Sequence, residues 1–363
     1  MTNNARGAEG PNLLIVGFLK CGTTSLAKYL SDHPDVASPV AKELYYLIDP
    51  HSNLVSMQPV IGKLSFGKTG IDGRIPKYAD FFSEIFEKKY AMDATPFYYS
   101  QQRALKYAEN NPDTKIIFMM RSPEKRILSS FRFFQSMYQE YPASSFSEFV
   151  DALLGGEEQK KNYRKRIKKA FFRELFDDEL KMGSYKNHIE KWVSAIGRER
   201  IFLGTMEELR DNSFGFMERI CRFLQIDQNY YMEYDFSPYM QSYQVRFPIL
   251  QKIGRRFGKE DPMRYDTISR FQSPFHRLSI PGLRNGLDRI YRRLQHMHVL
   301  NANEMESLEK LAAHYEPFNA ELRENFGIDY TNSNKSTDFD NKNPPHRRIA
   351  PAAEALEGAS DVN

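Results

Sequence analysis

Cysteine is scarce in this chain: the 363 residues hold two, Cys21 and Cys221. Two thiols so far apart exclude a disulfide-stapled scaffold and a cysteine-rich zinc site, and they point to a reducing compartment. Long apolar runs are missing as well. The longest, Leu13 to Leu19, is broken by Gly17, whereas roughly 20 residues are needed to cross a bilayer. The opening MTNNARGAEG lacks the basic start and apolar stretch of a secretory leader, so the expected location is cytoplasmic. An excess of one charge is also lacking: 51 Lys plus Arg face 47 Asp plus Glu, a net +4, which gives no reason to expect a nucleic-acid partner. What is present, 41% hydrophobic and 27% charged residues, has the make-up of a globular protein with one large α/β domain or two ordinary ones.

Short apolar runs that enter a glycine or proline reveal the organisation. Asn12 to Gly17 reads as a strand, followed by a polar loop and by Ser25 to Leu30 at helical spacing. A second unit of this kind starts at Lys115, where KIIFMM has the pattern of a buried strand ending at Arg121, and Pro123 opens a helix running to about Phe134. Two such units predict an α/β, P-loop-like three-layer fold with a central parallel sheet flanked by helices. Lys89 to Thr95 adds a short strand stopped by Pro96. Residues 146 to 192 read as mostly helical, Arg200 to Leu203 as a strand, and Phe214 to Leu224 as a helix. A final helix from about Asn303 to Phe326 ends at Gly327, a suitable cap. Residues 231 to 300 show no stable period and predict irregular structure with short helices. The polar stretch from Thr331, with Pro344, Pro345 and Pro351, predicts disorder. The expected division is a flexible segment 1–10, a domain 11–330 and a tail 331–363.

Gly17-Phe-Leu-Lys20-Cys21-Gly22-Thr23-Thr24 stands between the first strand and its helix, where backbone N–H groups and the helix dipole favour an anion. Against the nucleotide loop G-x-x-x-x-G-K-[ST], the glycines and Thr24 fit, but Thr23 occupies the slot of the lysine. Lys20, three positions earlier, would approach the anion from the other side. Ser25 adds a third hydroxyl. The plainer alternative is a tight turn whose hydroxyls are ordinary caps. Arg121 ends the second strand and Ser129 lies eight residues later on the next helix, at the same carboxyl edge of a parallel sheet. Arg121 can hold a phosphate bidentately, with Ser129 adding a hydrogen bond, unless Arg121 only pairs with an acid.

Strand, G-x-x-K-x-G-T-T and helix, followed about a hundred residues later by strand-Arg and a helical serine, resembles the sulfotransferases that use 3'-phosphoadenosine-5'-phosphosulfate (PAPS). Three further stretches extend the resemblance. Lys42-Glu43-Leu-Tyr-Tyr46 is similar to the acid-bearing K-E-x-x-F-F segment. Gly183-Ser-Tyr185-Lys-Asn-His188-Ile-Glu-Lys-Trp192 is similar to G-x-Y-x-x-H-I-E-x-W, and Tyr315-Glu-Pro-Phe-Asn319-Ala-Glu-Leu322 to the closing helix. The last two resemble the carbohydrate branch, the heparan sulfate N- and O-sulfotransferases. The resemblance covers about residues 12 to 330. It implies a 5'-phosphosulfate loop of Lys20, Cys21, Gly22, Thr23, Thr24 and Ser25, a 3'-phosphate site at Arg121 and Ser129, and no metal. It also implies Lys20 as the charge on the leaving-group side and Glu43 as the general base, with Lys42 beside it not required to point the same way. His188 is the second candidate base, since imidazole titrates near neutral pH. Asp93 to Pro96 resembles a segment lining the acceptor site, although Asp93 could equally cap a strand end. The K-G-R adenosine-side loop of the heparan enzymes has no counterpart just before the last helix; Gly254-Arg255-Arg256 and Gly258-Lys259 lie further upstream. The implied acceptor is a saccharide, a glycolipid or another small hydroxyl (or amine) compound.

Lys160, Lys161, Arg164, Lys165, Arg166, Lys168 and Lys169 crowd one short stretch. They read as a solvated helix face balanced by Glu174, Asp177, Asp178 and Glu179, with contact to an anionic glycan or membrane surface as the alternative. The Arg- and aromatic-rich stretch Tyr243 to Arg293 is the better acceptor-side candidate. Two other functions stay open. One is a P-loop kinase in which Asp93 holds magnesium, against which stand the missing lysine before Thr24 and the Arg121 to Ser129 spacing. The other is a non-catalytic module that holds a phosphorylated or sulfated ligand.

Overall fold

The computed structural model describes residues 10–39, 42–54, 77–82, 87–135, 141, 145–236, 282, 286 and 300–330. The expected N-terminal segment up to residue 9, the stretch 243–293 apart from Gly282 and Gly286, and the tail from 331 lie outside the described residues.

Five strands form one parallel sheet: β1 (Leu13–Gly17), β2 (Val36–Ala37), β3 (Tyr90–Ala94), β4 (Lys115–Met120) and β5 (Ile201–Thr205), in the order β2-β3-β1-β4-β5. Helices cover the sheet, so strands buried on both faces need unbroken apolar sequence rather than alternation. LLIV and IIFMM meet that need, and every one of those side chains is buried. Strand β1 sits in the middle, with Leu14 opposite Asp93 on one side and Ile116 on the other. The chain departs from β1 toward one edge and later returns to build the other. A crevice therefore opens at the carboxyl ends of β1 and β4.

The helix after β1 is α1 (Thr23–Asp32), and α2 (Gln102–Asn110) precedes β4. Helix α3 (Pro123–Phe133) follows β4 with proline in its first turn. Next come α4 (Phe146–Leu154), α5 (Glu157–Lys165), α6 (Ala170–Met182) and α7 (Tyr185–Ile196). Helices α8 (Met206–Asp211) and α9 (Ser213–Leu224) follow β5. The last helix, α10 (Ala302–Phe326), starts in an Asn301–Glu304 capping box and ends at Gly327, whose φ of 69° is left-handed. It packs across α3 and α4. Among the described residues, no helix is long and apolar enough to cross a membrane.

Two elements have no local sequence signal. Strand β2 is only two residues long. Helix α2 lacks a side-chain cap of its own; its first amides, from Gln102 and Arg103, donate at 2.8 Å each to the carboxylate of Asp49, some fifty residues upstream.

Candidate active site

Strand β1 delivers the loop Phe18–Gly22 to the crevice. Gly22 is the residue on which α1 starts, at φ 81°, and it has no side chain with which to cap that helix. A Cβ at Gly22 would also lie 3.3 Å from the Met206 side chain, so both backbone and space call for glycine. Cys21 turns inward. Its N–H donates to the Phe18 carbonyl at 3.2 Å, which closes the loop. Its buried thiol lies 3.7 Å from the Tyr185 hydroxyl, and burial pushes the thiol pKa up to about 12. Cys21 therefore shapes the loop, and the first-turn amides of α1, which have no acceptor within the helix, face the crevice where an anion would sit. Thr23 is buried, and Thr24 and Ser25 are half-buried in that turn.

Lys20 adopts a left-handed φ of 65°, and its Nζ lies 3.9 Å from the centre of the Phe133 ring. Burial lowers its pKa from 10.5 to about 8. Arg121 and Lys42 act in the same direction, and Glu43 opposes them. Lys20, Arg121, Lys42 and Glu43 thus share one electrostatic neighbourhood although they come from three separate segments. Arg121 stands at the end of β4, its carbonyl fixed by a 2.8 Å hydrogen bond from the Tyr185 hydroxyl. Its side chain is half-buried and has no ion-pair or hydrogen-bond partner among the described residues. An arginine held beside a lysine costs Coulomb energy, and an anion would offset that cost. Ser129 lies two turns into α3, buried on the same helix as Phe133.

Glu43 enters from the segment between β2 and β3. Both of its oxygens are engaged: Lys42 Nζ donates to Oε1 at 2.6 Å, and the Tyr45 hydroxyl donates to Oε2 at 2.6 Å. Lys42 therefore does point the same way as its neighbour, and with 1% of its side chain exposed it is part of the site's interior. Glu43 and Tyr45 have φ of 64° and 51°. Such conformations cost about 1–3 kcal/mol each for non-glycine residues. Among the described residues four non-glycines adopt them, and three of the four, Lys20, Glu43 and Tyr45, belong to this site; the fourth, Gln225, ends helix α9.

Asp93, the penultimate residue of β3, is fully buried. Tyr78 and Tyr98 donate their hydroxyls to Oδ2 at 2.5 and 2.8 Å, Thr95 donates to Oδ1 at 2.8 Å, and the Leu44 N–H donates as well. Burial raises its pKa, and these donors work against that rise. A carboxylate so completely engaged by the protein is a poor candidate for the magnesium ligand of a kinase.

His188 is not brought into this group. Its ring lies edge-on to Tyr99, centroids 4.7 Å apart, and 5.8 Å from Phe18, and its Nε2 is 3.3 Å from the Lys181 carbonyl. Burial lowers its pKa. The surrounding G-x-Y-x-x-H-I-E-x-W stretch is the scaffold behind the crevice. Tyr185 holds Arg121, and Trp192 donates to the Tyr99 carbonyl at 2.9 Å. A Cβ at Gly183 would come 2.6 Å from the Tyr315 ring, so the glycine of one stretch exists to admit the tyrosine of the other. The Tyr315 hydroxyl donates to the Leu180 carbonyl at 2.7 Å.

Sequence reasoning missed Arg126 and misplaced Glu179, which it counted among surface acids. Both are fully buried and pair at 2.8 Å, with Arg126 also donating to the Glu179 carbonyl at 2.6 Å and Ser130 to its Oε2 at 3.2 Å. Desolvation alone would lower the Arg126 pKa, but the facing Glu179 raises it. The pair fixes α3, which carries Ser129 and Phe133, to α6. In the basic stretch, Arg164, which is exposed, pairs with the half-buried Asp177, and Arg166 pairs with Glu148, both exposed. Lys161, Lys165, Lys168 and Lys169 are exposed, as a solvated face requires.

A family model described as a sulfotransferase domain matches residues 10–246. The bifunctional heparan sulfate N-deacetylase/N-sulfotransferase 1 of Caenorhabditis briggsae is 24% identical over 226 residues, 60% of this chain and 23% of that protein. Human heparan sulfate glucosamine 3-O-sulfotransferase 3B1 is 22% identical over 218 residues, 59% of this chain and 46% of that protein. The chain thus matches less than half the length of either curated relative. Among solved structures, a sulfotransferase from Alicyclobacillus acidocaldarius aligns at 22% identity with a TM-score of 0.46, covering 68% of this chain and 91% of that one.

Proposed function

The chain belongs to the sulfotransferase family, and from that premise we propose that it moves a sulfuryl group from PAPS to a hydroxyl or amine of a saccharide, a glycolipid or another small acceptor. One observation carries the reading. The start of α1 at Gly22 with Lys20, and Arg121 at the next strand end, whose side chain has no ion-pair or hydrogen-bond partner among the described residues, make two anion positions in one crevice. A nucleotide phosphorylated at both its 5' and 3' positions fits that pair, and the heparan sulfate relatives support the saccharide acceptor.

When bound, PAPS supplies a sulfuryl group already attached to a phosphate leaving group. Gly22, Thr23, Thr24 and Ser25 would hold the 5' end at the helix start, and Arg121 with Ser129 would hold the 3'-phosphate. Lys20 places positive charge where the leaving oxygen becomes anionic, in a half-buried setting where such charge counts for more than in water. Glu43 receives the acceptor proton. Its bonds to Lys42 and Tyr45 occupy one lone pair on each oxygen, and a carboxylate oxygen has two. His188 is the second candidate, ranked below Glu43 because its contacts are to the scaffold. The engagement of Asp93 by four protein donors weighs against the kinase reading. Cys21 and Cys221, both free and buried, support the cytoplasmic location that goes with this proposal.

Lys20→Ala and Glu43→Gln, assayed separately with labelled PAPS against heparosan fragments, de-N-acetylated heparosan, a glycolipid fraction and 4-nitrophenol, test it. Each substitution is expected to lower transfer by about a hundredfold or more. If neither does, the roles assigned to Lys20 and Glu43 are wrong.

A further inference from the structure

We propose that Asp93 is the positioning residue of the site, the group that holds Glu43 in its left-handed conformation and so aims its carboxylate into the crevice. The inference rests on the reading of Glu43 as the base.

The segment 42–47 belongs to no helix and no strand, so its buried amides need acceptors from elsewhere. Three of them end on Asp93. Leu44 donates to it directly. The Tyr45 N–H donates at 3.4 Å to Thr95 Oγ1, which itself donates to Asp93. The Leu47 N–H donates at 3.2 Å to the Tyr98 hydroxyl, which also donates to Asp93. Tyr78, the fourth donor, stacks on Tyr46 with ring centres 4.2 Å apart. Leu44, Tyr45 and Leu47 are thereby tied, directly or through one hydroxyl, to a single carboxylate, and Tyr46 is packed on the ring of a third tyrosine that donates to it.

That carboxylate is rigidly placed. Asp93 lies within β3, paired with Leu14 of β1, and β1 is the strand that carries the Lys20 loop. The base segment and the anion loop are thus referenced to adjacent positions of one sheet. Leu44 sits between the two residues of left-handed φ, Glu43 and Tyr45, so the amide that Asp93 accepts is the one that fixes the turn on either side. A buried carboxylate is costly unless its oxygens are satisfied. A segment needing only to be packed would be served by apolar contacts, whereas one needing a set geometry is served by directional bonds.

A double-substitution cycle tests this. With heparosan hexasaccharide as acceptor, Asp93→Asn is expected to lower kcat about 10–100-fold, since small displacements of a reacting group have effects of that order. KM for PAPS should change less than about twofold, because the anion loop and Arg121 are untouched. On a Glu43→Gln background, where no base is left to misplace, Asp93→Asn should cost less than about threefold more. An equal loss on both backgrounds means that Asp93 acts independently of Glu43 and overturns the inference while the function stands. Absence of any loss in Glu43→Gln alone overturns the reading of the base, and the inference with it. Thr95→Val, which removes one hydroxyl of the network, enters the same cycle if Asp93→Asn does not fold, and Thr95→Ser is expected to restore the rate. Independently of any acceptor, a crystal structure of Asp93→Asn should show Glu43 out of the left-handed region. One that keeps both its φ and its Tyr45 hydrogen bond refutes the proposal.

Discussion

Protonation of Lys20 should be linked to cofactor binding, and the structure sets the size of the linkage. In the free protein, burial first and Arg121 second lower the Lys20 pKa from 10.5 to about 8. A phosphate group placed beside it supplies the negative charge that the crevice lacks, so the bound-state pKa should return toward the ordinary value. Binding of adenosine 3',5'-bisphosphate therefore draws in a proton: about 0.1 per molecule at pH 7, about 0.5 at pH 8 and about 0.9 at pH 9. Affinity should be nearly flat below pH 7.5 and fall by up to about tenfold for each pH unit between 8.5 and 10. The interval between the two pKa values caps the coupling at about 3 kcal/mol. Titration calorimetry at pH 8.5, in buffers of different ionisation enthalpy and free of phosphate and sulfate, reads the uptake directly. The ligand's phosphates are already fully ionised there, and burial keeps the Cys21 thiol protonated up to about 12. Lys20→Met should abolish the uptake. Uptake below about 0.1 proton at pH 8.5, or equal uptake in Lys20→Met, would refute the assignment of Lys20 as the half-buried cation facing the phosphate. The sign for stability follows from the same depression. The unfolded chain keeps this proton to a higher pH, so the ligand-free protein should gain stability relative to Lys20→Met as pH rises from 8 to 10.5.

Other consequences are simpler to check. The Cys21 thiol, buried and with its pKa raised to about 12, should resist iodoacetamide at pH 8 in the folded protein and react only on unfolding; rapid labelling that abolishes binding would contradict the closed loop geometry. Arg126→Met leaves Glu179 buried without its partner and should destabilise the fold by about 3–5 kcal/mol. The double substitution Arg126→Met with Glu179→Leu should recover much of that loss, as thermal melting will show. Thr24→Val, which keeps the backbone donors of α1 but removes a hydroxyl from its first turn, should weaken adenosine 3',5'-bisphosphate by about threefold to tenfold without changing the melting temperature of the ligand-free protein.

The sheet and the strand-to-helix turn after β1 were legible because their signals are local. LLIV and KIIFMM are buried-strand patterns in themselves, and Gly17, Gly22 and the hydroxyls of Thr23 and Thr24 mark a strand-to-helix turn without reference to anything distant. What escaped depends on long-range contacts. Helix α2 is capped by Asp49 across some fifty residues. Glu179 looks like one acid among four until α3 brings Arg126 against it. Lys42 and Tyr45 could not be assigned to Glu43 from sequence, because only the positive φ values at residues 43 and 45 fold their side chains back onto it. From the sequence, Asp93 fits a strand-end cap or an acceptor-site residue equally well. Its three hydroxyl donors, Tyr78, Thr95 and Tyr98, lie within fifteen residues of it, yet nothing in their spacing shows that they converge. The G-x-Y-x-x-H stretch was visible as a motif, but the reason for its glycine, the ring of Tyr315, comes from the far end of the chain.

In the proposed function, one crevice binds a nucleotide at both phosphorylated ends, with Arg121 reading the 3' end. Comparing the dissociation constants of adenosine 3',5'-bisphosphate and 5'-AMP in EDTA, for the native protein and for Arg121→Ala, tests it most directly. The native protein should prefer the bisphosphate by about 10–100-fold, as charge-assisted hydrogen bonds to one phosphate provide, and Arg121→Ala should reduce that preference to within about threefold. Equal affinity for the two nucleotides in the native protein, or binding of ATP only when magnesium is added, would contradict the account.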